Sequence, residues 1–289
     1  MAEPGKRREH PSTYFVQDRS NEAELSRLKV QDQMVNASMG GPLAEQPDPL
    51  IFQRILDVGC GTGGWLIEIA RSCPTARMLI GVDISERMVA YARAEAAAQQ
   101  VGTRVSFYAM DALRMLEFPN NYFDLVNQRF GNSYLRTWDW PQILHEYQRV
   151  TCPGGMIRVT ESDLASESSS AALTRLSQVF LTAFYQAGHL FHRESKGVTG
   201  ELPHLMTRHG ISNVHARTCL LEYRSGTPAG ERYAEDIRLS ETLLPFIRKW
   251  SQLPAEYAQL RQQTFQDMQR PDFVATLRVV TAWGTKGRY

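Results

Sequence analysis

The sequence predicts an α/β fold built on a mainly parallel, doubly wound sheet, and three observations carry that expectation. From residue 52 onward, short apolar runs alternate with helix-periodic stretches, the pattern of strands joined by crossover helices. Residues 56–65, LDVGCGTGGW, read as a strand entering a glycine-rich turn and then a helix. Asp57, Asp83 and Asp111 stand at or just beyond the ends of the first three apolar runs. In an open sheet of this kind, ligands bind at the carboxyl ends of the strands.

Composition narrows the class. With 289 residues and 43% hydrophobic content, the chain can bury a core as one large domain or as a core domain with a smaller cap. A formal charge of +1 provides no field that would draw nucleic acid or an anionic membrane. Cys60, Cys73, Cys152 and Cys219 are widely spaced, without a CxxC pair or a histidine at metal-binding spacing. They read as reduced thiols of a cytoplasmic protein, with no metal site. No segment approaches the ~18 apolar residues of a spanning helix, and the charged N-terminus lacks the apolar run of a secretion signal. A soluble protein with no membrane partner is expected.

Residues 1–13 are polar, contain two prolines and offer nothing to bury, so they are expected to be mobile. Asn21 and Glu24 form a capping box for a helix whose apolar side carries Leu25, Leu28, Met34, Val35 and Met39. Gly40, Gly41 and Pro42 stop it. The segment reads either as cover for a sheet edge or as a flap over the ligand that uses Tyr14, Phe15, Gln33 and Met34.

Strands are then expected at 52–58, 78–83, 104–109, 122–127, 156–161, 214–223 and 273–283, seven in all. Helices are expected at 64–72, 86–100 with Ser85 as N-cap, 141–150 and 202–209. Pro153-Gly154-Gly155 reads as a turn before the fifth strand. The helical stretches at 164–191, 233–251 and 254–269 exceed a minimal crossover and read as a helical cap. The last strand follows a long excursion and is expected at a sheet edge.

The acidic positions and the turn describe a ligand. Gly59, Gly61 and Gly63 let the backbone turn tightly and approach closely. Asp57 can accept from an ammonium, Asp83 from ribose hydroxyls, and Asp111 from the amine of an adenine. A dinucleotide fold is the rival reading. Its G-x-G-x-x-G turn faces a pyrophosphate, which the carboxylate of Asp57 beside an alternating glycine run disfavours.

These residues resemble the class I S-adenosylmethionine-dependent methyltransferases. DVGCGTG at 57–63 is similar to the family's glycine-rich motif, and GVDIS with Met88 to its second. YAMDAL, with Asp111 and Ala112, resembles the third, FDLVNQRF at 123–130 the fourth, and PGG at 153–155 the turn before strand five. The resemblance implies a Rossmann-like sheet of seven strands, mostly parallel with the last antiparallel, and S-adenosyl-L-methionine as cofactor. It also implies cofactor contacts at Asp57, Gly59, Cys60, Gly61, Gly63, Asp83, Ile84, Met88, Asp111, Ala112, Asn127 and Gln128. The N-terminal segment 1–50 then becomes a helical lid, and 51–289 a methyltransferase domain with cap insertions near 164–200 and 230–270.

Methyl transfer from a sulfonium needs in-line placement and exclusion of water, and a base only where the acceptor must lose a proton. His189 and His192, beside aromatic residues at the end of the inserted helix, are candidates for that base. Arg129 is a candidate either to hold an acceptor carboxylate or to pair with Glu161. The aromatic cap favours a small, moderately hydrophobic acceptor methylated on O, N or C. A silent cofactor-binding regulator, a protein methyltransferase and an NAD(P)-dependent oxidoreductase are the alternatives. A homodimer is open, since the cap and an edge strand each offer a surface.

Overall fold

In the computed structural model the described residues are Tyr14 and 22–287. The expected leader, Phe15 and the capping Asn21 lie outside them, as do the side chains of Gln33 and Met34.

Helix α1 (Glu22–Met39) precedes the sheet. The regular alternation then follows, with β1 (Arg54–Val58), α2 (Gly64–Ser72), β2 (Met78–Asp83), α3 (Glu86–Ala98) and β3 (Val105–Ala109). Next come β4 (Phe123–Arg129), α4 (Trp140–Val150) and β5 (Thr151–Ser162). β1 to β5 pair in parallel, in the order β3-β2-β1-β4-β5. Because helices cover both faces, the strands read as continuous apolar runs rather than alternating ones. Leu56 and Val58 of β1 join one core with Val126 of β4 and Trp140, Leu144 and Tyr147 of α4. Ile55 joins the opposite core with Leu66 and Ile69 of α2, Val89 of α3 and Phe107 of β3.

The remaining elements are β6 (Glu167–Ser168), α5 (Ala171–Gln186), α6 (Leu202–Arg208), β7 (Ile211–Arg224), α7 (Pro228–Leu239), α8 (Leu244–Trp250), α9 (Tyr257–Met268) and β8 (Val274–Lys286). β8 runs antiparallel to β5 on one side and to β7 on the other, so the mixed sheet has the expected antiparallel last strand. It is not the edge strand expected from its position in the chain. Its run Val279-Val280-Thr281-Ala282 is buried, and β7 forms the outer edge. The eighth strand is the two-residue β6, which adds Glu167 and Ser168 to the far end of β8.

The Pro153-Gly154-Gly155 turn lies inside β5 as a bulge. Pairing jumps from Phe123↔Thr151 to Leu125↔Met156, and Gly154 takes φ +77°. Beyond the carboxyl ends of the strands, α1 packs on α7, and α5 on α8 and α9. Val35 and Met39 of α1 share an apolar cluster with Leu173, Tyr223 and Tyr233. Among the described residues no helix is long and apolar enough to cross a membrane.

Candidate functional site

The turn from β1 to α2 fixes the floor of a cavity of about 250 Å³. Gly59 has φ +68°, and a β-carbon there would stand 2.7 Å from the Tyr134 hydroxyl, so both conformation and space demand glycine. Gly61 has φ +53° with open space around it, and the requirement there is conformational only. Gly63 lies just outside the cavity wall, as the N-cap of α2.

Asp57 is 3% exposed and accepts from Asn127 Nδ2 at 2.7 Å. Asn127 Oδ1 in turn accepts from Arg158 at 2.7 Å, which fixes which end of the amide faces Asp57. Arg158, 1% exposed, donates its Nε to Glu45 at 2.7 Å. Burial opposes ionisation of Glu45, but the charge and hydrogen bonds of Arg158 hold its carboxyl below the usual range. Asp57 has no such direct cation. Burial pushes it up to about 7, against the opposing pull of the Asn127 bond and of Arg129.

Asp83 ends β2. One oxygen accepts from Gly61 N and the other from Ser85 N, both at 2.9 Å. The carboxylate thus ties the glycine turn to the start of α3 and lines the cavity. Ser85 caps α3 by accepting from Met88 N. Asp111 accepts from Leu113 N at 3.0 Å. Ile84, Met88, Met110 and Ala112 complete an apolar slot between these two carboxylates. Cys60 also faces the cavity, its thiol pushed up by burial and by the nearby charges of Asp83 and Asp57.

The other wall comes from α1 and from the loop after β4. Leu28, Gln31 and Asp32 of α1 line the cavity. Arg129, also in the wall, reaches across it to Asp32 at 2.6 Å and to Asn36 at 2.6 Å. Its guanidinium thus holds α1, and its partner is Asp32 rather than the Glu161 expected from the sequence. Phe130 then adopts φ +56°, a left-handed conformation that costs a non-glycine residue about 1–2 kcal/mol. Such strain marks a loop whose shape is imposed by its surroundings.

Gln128 lies beneath the wall rather than in it. It donates to Glu161 at 2.8 Å and accepts from Tyr147 at 2.8 Å. Glu161, at the cavity edge, also accepts from Asn132 N, and burial pushes its carboxyl up to about 8. Asn127 likewise stands behind Asp57 and outside the lining.

Neither histidine candidate reaches the cavity. His189 is fully buried, with Nδ1 between the carbonyls of Asn132 and Leu135 at 3.0 and 2.9 Å and its ring between Phe184 and Phe246. Burial lowers it to about 4, which keeps it neutral. His192 is 66% exposed and sits 3.7 Å from Glu201. Neither residue is therefore placed to serve as a base at this cavity.

Asn132, in the loop after β4 at the carboxyl edge of the sheet, lines the cavity at 1% exposure, and neither its Oδ1 nor its Nδ2 has a partner among the described residues. Leaving a buried amide unpaired costs about 1–3 kcal/mol per group, so a ligand that supplies both a donor and an acceptor suits this wall. The glycine cradle under Tyr134, the two carboxylates flanking an apolar slot and this unpaired amide together fit an adenosine with a charged, phosphate-free extension.

Known proteins agree with that geometry. The family model for a methyltransferase domain matches residues 55–155. A ubiquinone/menaquinone biosynthesis C-methyltransferase from Geobacter sulfurreducens is 37% identical over 108 residues, covering 37% of this chain and 41% of that protein. A demethylmenaquinone methyltransferase from Deinococcus radiodurans is 36% identical over 124 residues, covering 43% of this chain and 49% of that protein. The chain thus spans less than half the length of these curated relatives.

Among solved structures, phosphoethanolamine N-methyltransferase 2 from Haemonchus contortus, bound to phosphomonomethylethanolamine and S-adenosylhomocysteine, superposes with a TM-score of 0.56. It has 20% identity and covers 96% of this chain and 61% of its own. YcgJ from Bacillus subtilis gives 0.54 at 19% identity, covering 87% and 98%. At these identities the likeness shows the fold.

Proposed function

We propose that this chain, which carries a class I methyltransferase domain, moves the methyl group of S-adenosylmethionine to a nucleophile on a small metabolite. The observation that carries the reading is the convergence of Asp57, Asp83 and Asp111 with the glycine turn on one cavity. In this reading Asp83 takes the ribose hydroxyls, and Asp111 and Ala112 meet the adenine edge. Ile84 and Met88 pack on the adenine faces. Asp57, Gly59 and Gly61 face the ammonium end, with Asn127 and Arg158 orienting Asp57.

When bound, the cofactor supplies a methyl group already activated by a sulfonium. The task left to the chain is alignment and exclusion of water. Arg129 acts as a positioning residue that holds α1 over the cavity, which makes residues 1–50 the lid. The helices within 164–200 and 230–270 form the acceptor cap over a domain that begins near residue 51. The four free thiols fit a reducing compartment, and we assign the chain to the cytoplasm.

Calorimetry tests the cofactor directly. S-adenosylmethionine and S-adenosylhomocysteine should bind with micromolar affinity, and NAD should give no signal. Binding of NAD in their place would overturn the reading. Turnover with any acceptor separates an enzyme from a silent binder.

The pH dependence follows from Asp57. Its pKa in the folded chain, about 7, lies above the ordinary carboxylate value, so the free protein holds a proton there below pH 7. Its contribution to folding stability is lost as pH rises through 7. A cationic ligand favours the carboxylate and expels that proton. Affinity for S-adenosylmethionine should therefore rise from pH 5.5 to 7, by up to about tenfold per unit, and then flatten. Asp57→Asn should remove the slope. A flat profile in the unaltered protein would count against Asp57 as the ammonium partner.

A further inference from the structure

A second chamber of about 140 Å³ lies under α5, α7 and α9. It shares Arg27, Gln31, Ser162 and Leu164 with the wall of the first cavity. Most of its surface is apolar, from Leu173, Leu176 and Phe180 of α5, Ile237 of α7, Phe265 of α9 and Leu277 of β8. An apolar cavity of roughly 150 Å³ accommodates one benzene ring, which sets the size of the body this chamber can take.

One pole of the chamber is charged, and among the described residues it brings two carboxylates to one guanidinium. Arg27 is 5% exposed and bidentate to Glu24, with two contacts of 2.8 Å. Glu24 accepts in addition from Thr242 at 3.0 Å and from the Tyr14 hydroxyl, so its oxygens are well supplied. Asp236 faces the chamber from α7, and its one hydrogen-bonding contact among the described residues is Arg27 at 3.5 Å. Two carboxylates thus share one guanidinium, and the one facing the chamber has the weaker claim. The other ions there are paired elsewhere: Arg261 with Glu241 at 3.0 Å, and Asp163 with Arg278 at 3.2 Å.

Asp236, held by a single 3.5 Å contact among the described residues and with its carboxyl pushed up by burial, is stabilised as a carboxylate by a cation beside it and opposed by an anion. A phenolate or enolate acceptor would meet this negative pole with the Arg27 charge already spent on Glu24. An ammonium would supply both a positive charge and donors, and its proton can pass to the Asp236 carboxylate before the nitrogen lone pair attacks the methyl group.

We propose that the second chamber is the acceptor site, and that it takes an amine carried on an apolar body about one ring in size, with its nitrogen at Asp236. The acceptor role rests on the methyltransferase reading, whereas the binding chemistry stands on the chamber itself. The probes are benzylamine, benzyl alcohol and benzoate, titrated calorimetrically into the full chain with and without saturating S-adenosylhomocysteine.

Benzylamine should bind at least tenfold more tightly than benzoate, with benzyl alcohol between them. Asp236→Asn should weaken benzylamine about tenfold and leave benzyl alcohol unchanged. Phe180→Trp, which fills the chamber, should abolish binding of both while S-adenosylhomocysteine still binds. A preference for benzoate or the alcohol, or unchanged benzylamine affinity in Asp236→Asn with native thermal stability, would overturn the proposal. Failure of S-adenosylhomocysteine to bind while benzylamine still does would instead count against the methyltransferase reading.

Discussion

Alanine in place of Arg158 should lower folding stability by about 3–5 kcal/mol, the usual cost of stranding one member of a buried ion pair. Arg158 and Glu45 are 1% and 3% exposed, so Glu45 would be left charged and without its cation. The substitution also frees Asn127, whose amide is oriented toward Asp57 by the guanidinium. Urea denaturation measures the first effect and calorimetry with S-adenosylmethionine the second. Pairing Arg158→Met with Glu45→Leu should restore most of the stability but not the cofactor affinity, because the Asn127 amide remains unfixed. A loss under 1 kcal/mol for the alanine variant would mean that water reaches Glu45.

Asp83→Ala should weaken S-adenosylmethionine by about 100-fold or more. The carboxylate has two tasks at once. It accepts from Gly61 N and Ser85 N, which shapes the turn, and in the proposed reading it also receives the ribose hydroxyls. Charge-assisted hydrogen bonds contribute about 1.5–3 kcal/mol each, so losing two exceeds the ~2.8 kcal/mol that corresponds to 100-fold. Asp83→Asn keeps the shape and one acceptor oxygen, and should lose less. Calorimetry on both variants checks the order. Equal affinity in the alanine variant and the parent would move the ribose away from β2.

The sheet from β1 to β5 and the three carboxylates that line the cavity were legible because their signals are local. A glycine alternation needs only its own φ values, and an acid at the end of an apolar run is placed by the strand that carries it. The wall formed by α1 and the loop after β4 was less legible, because its signals are tertiary. Arg129 is committed to Asp32, 97 residues earlier in the chain, and no spacing rule connects them. His189 follows the inserted helix among aromatic residues, as a pocket residue would. The chain turns back at that point, with His189 N bonded to the Phe184 carbonyl, and buries the ring. Asn132 stands in the loop after β4, where side chains are expected to face a ligand, but only the folded chain shows its amide buried without partners among the described residues. The interior place of β8 was not legible either, since its distance along the chain points to an edge and only the pairing with both β5 and β7 puts it inside the sheet.

The position of β8 also sets the order in which the protein can be built. β5 and β7 are hydrogen-bonded neighbours of β8 and not of each other, and β8 follows β7 only after α7, α8 and α9. Until β8 docks, two long strands each present an unsatisfied edge, and the cap helices have only part of a sheet beneath them. Contacts made over such separations are slow to form and leave strand edges open to intermolecular pairing meanwhile. A small fault in β8 would therefore show first in the yield of refolded protein, before any change in the affinity of the finished site.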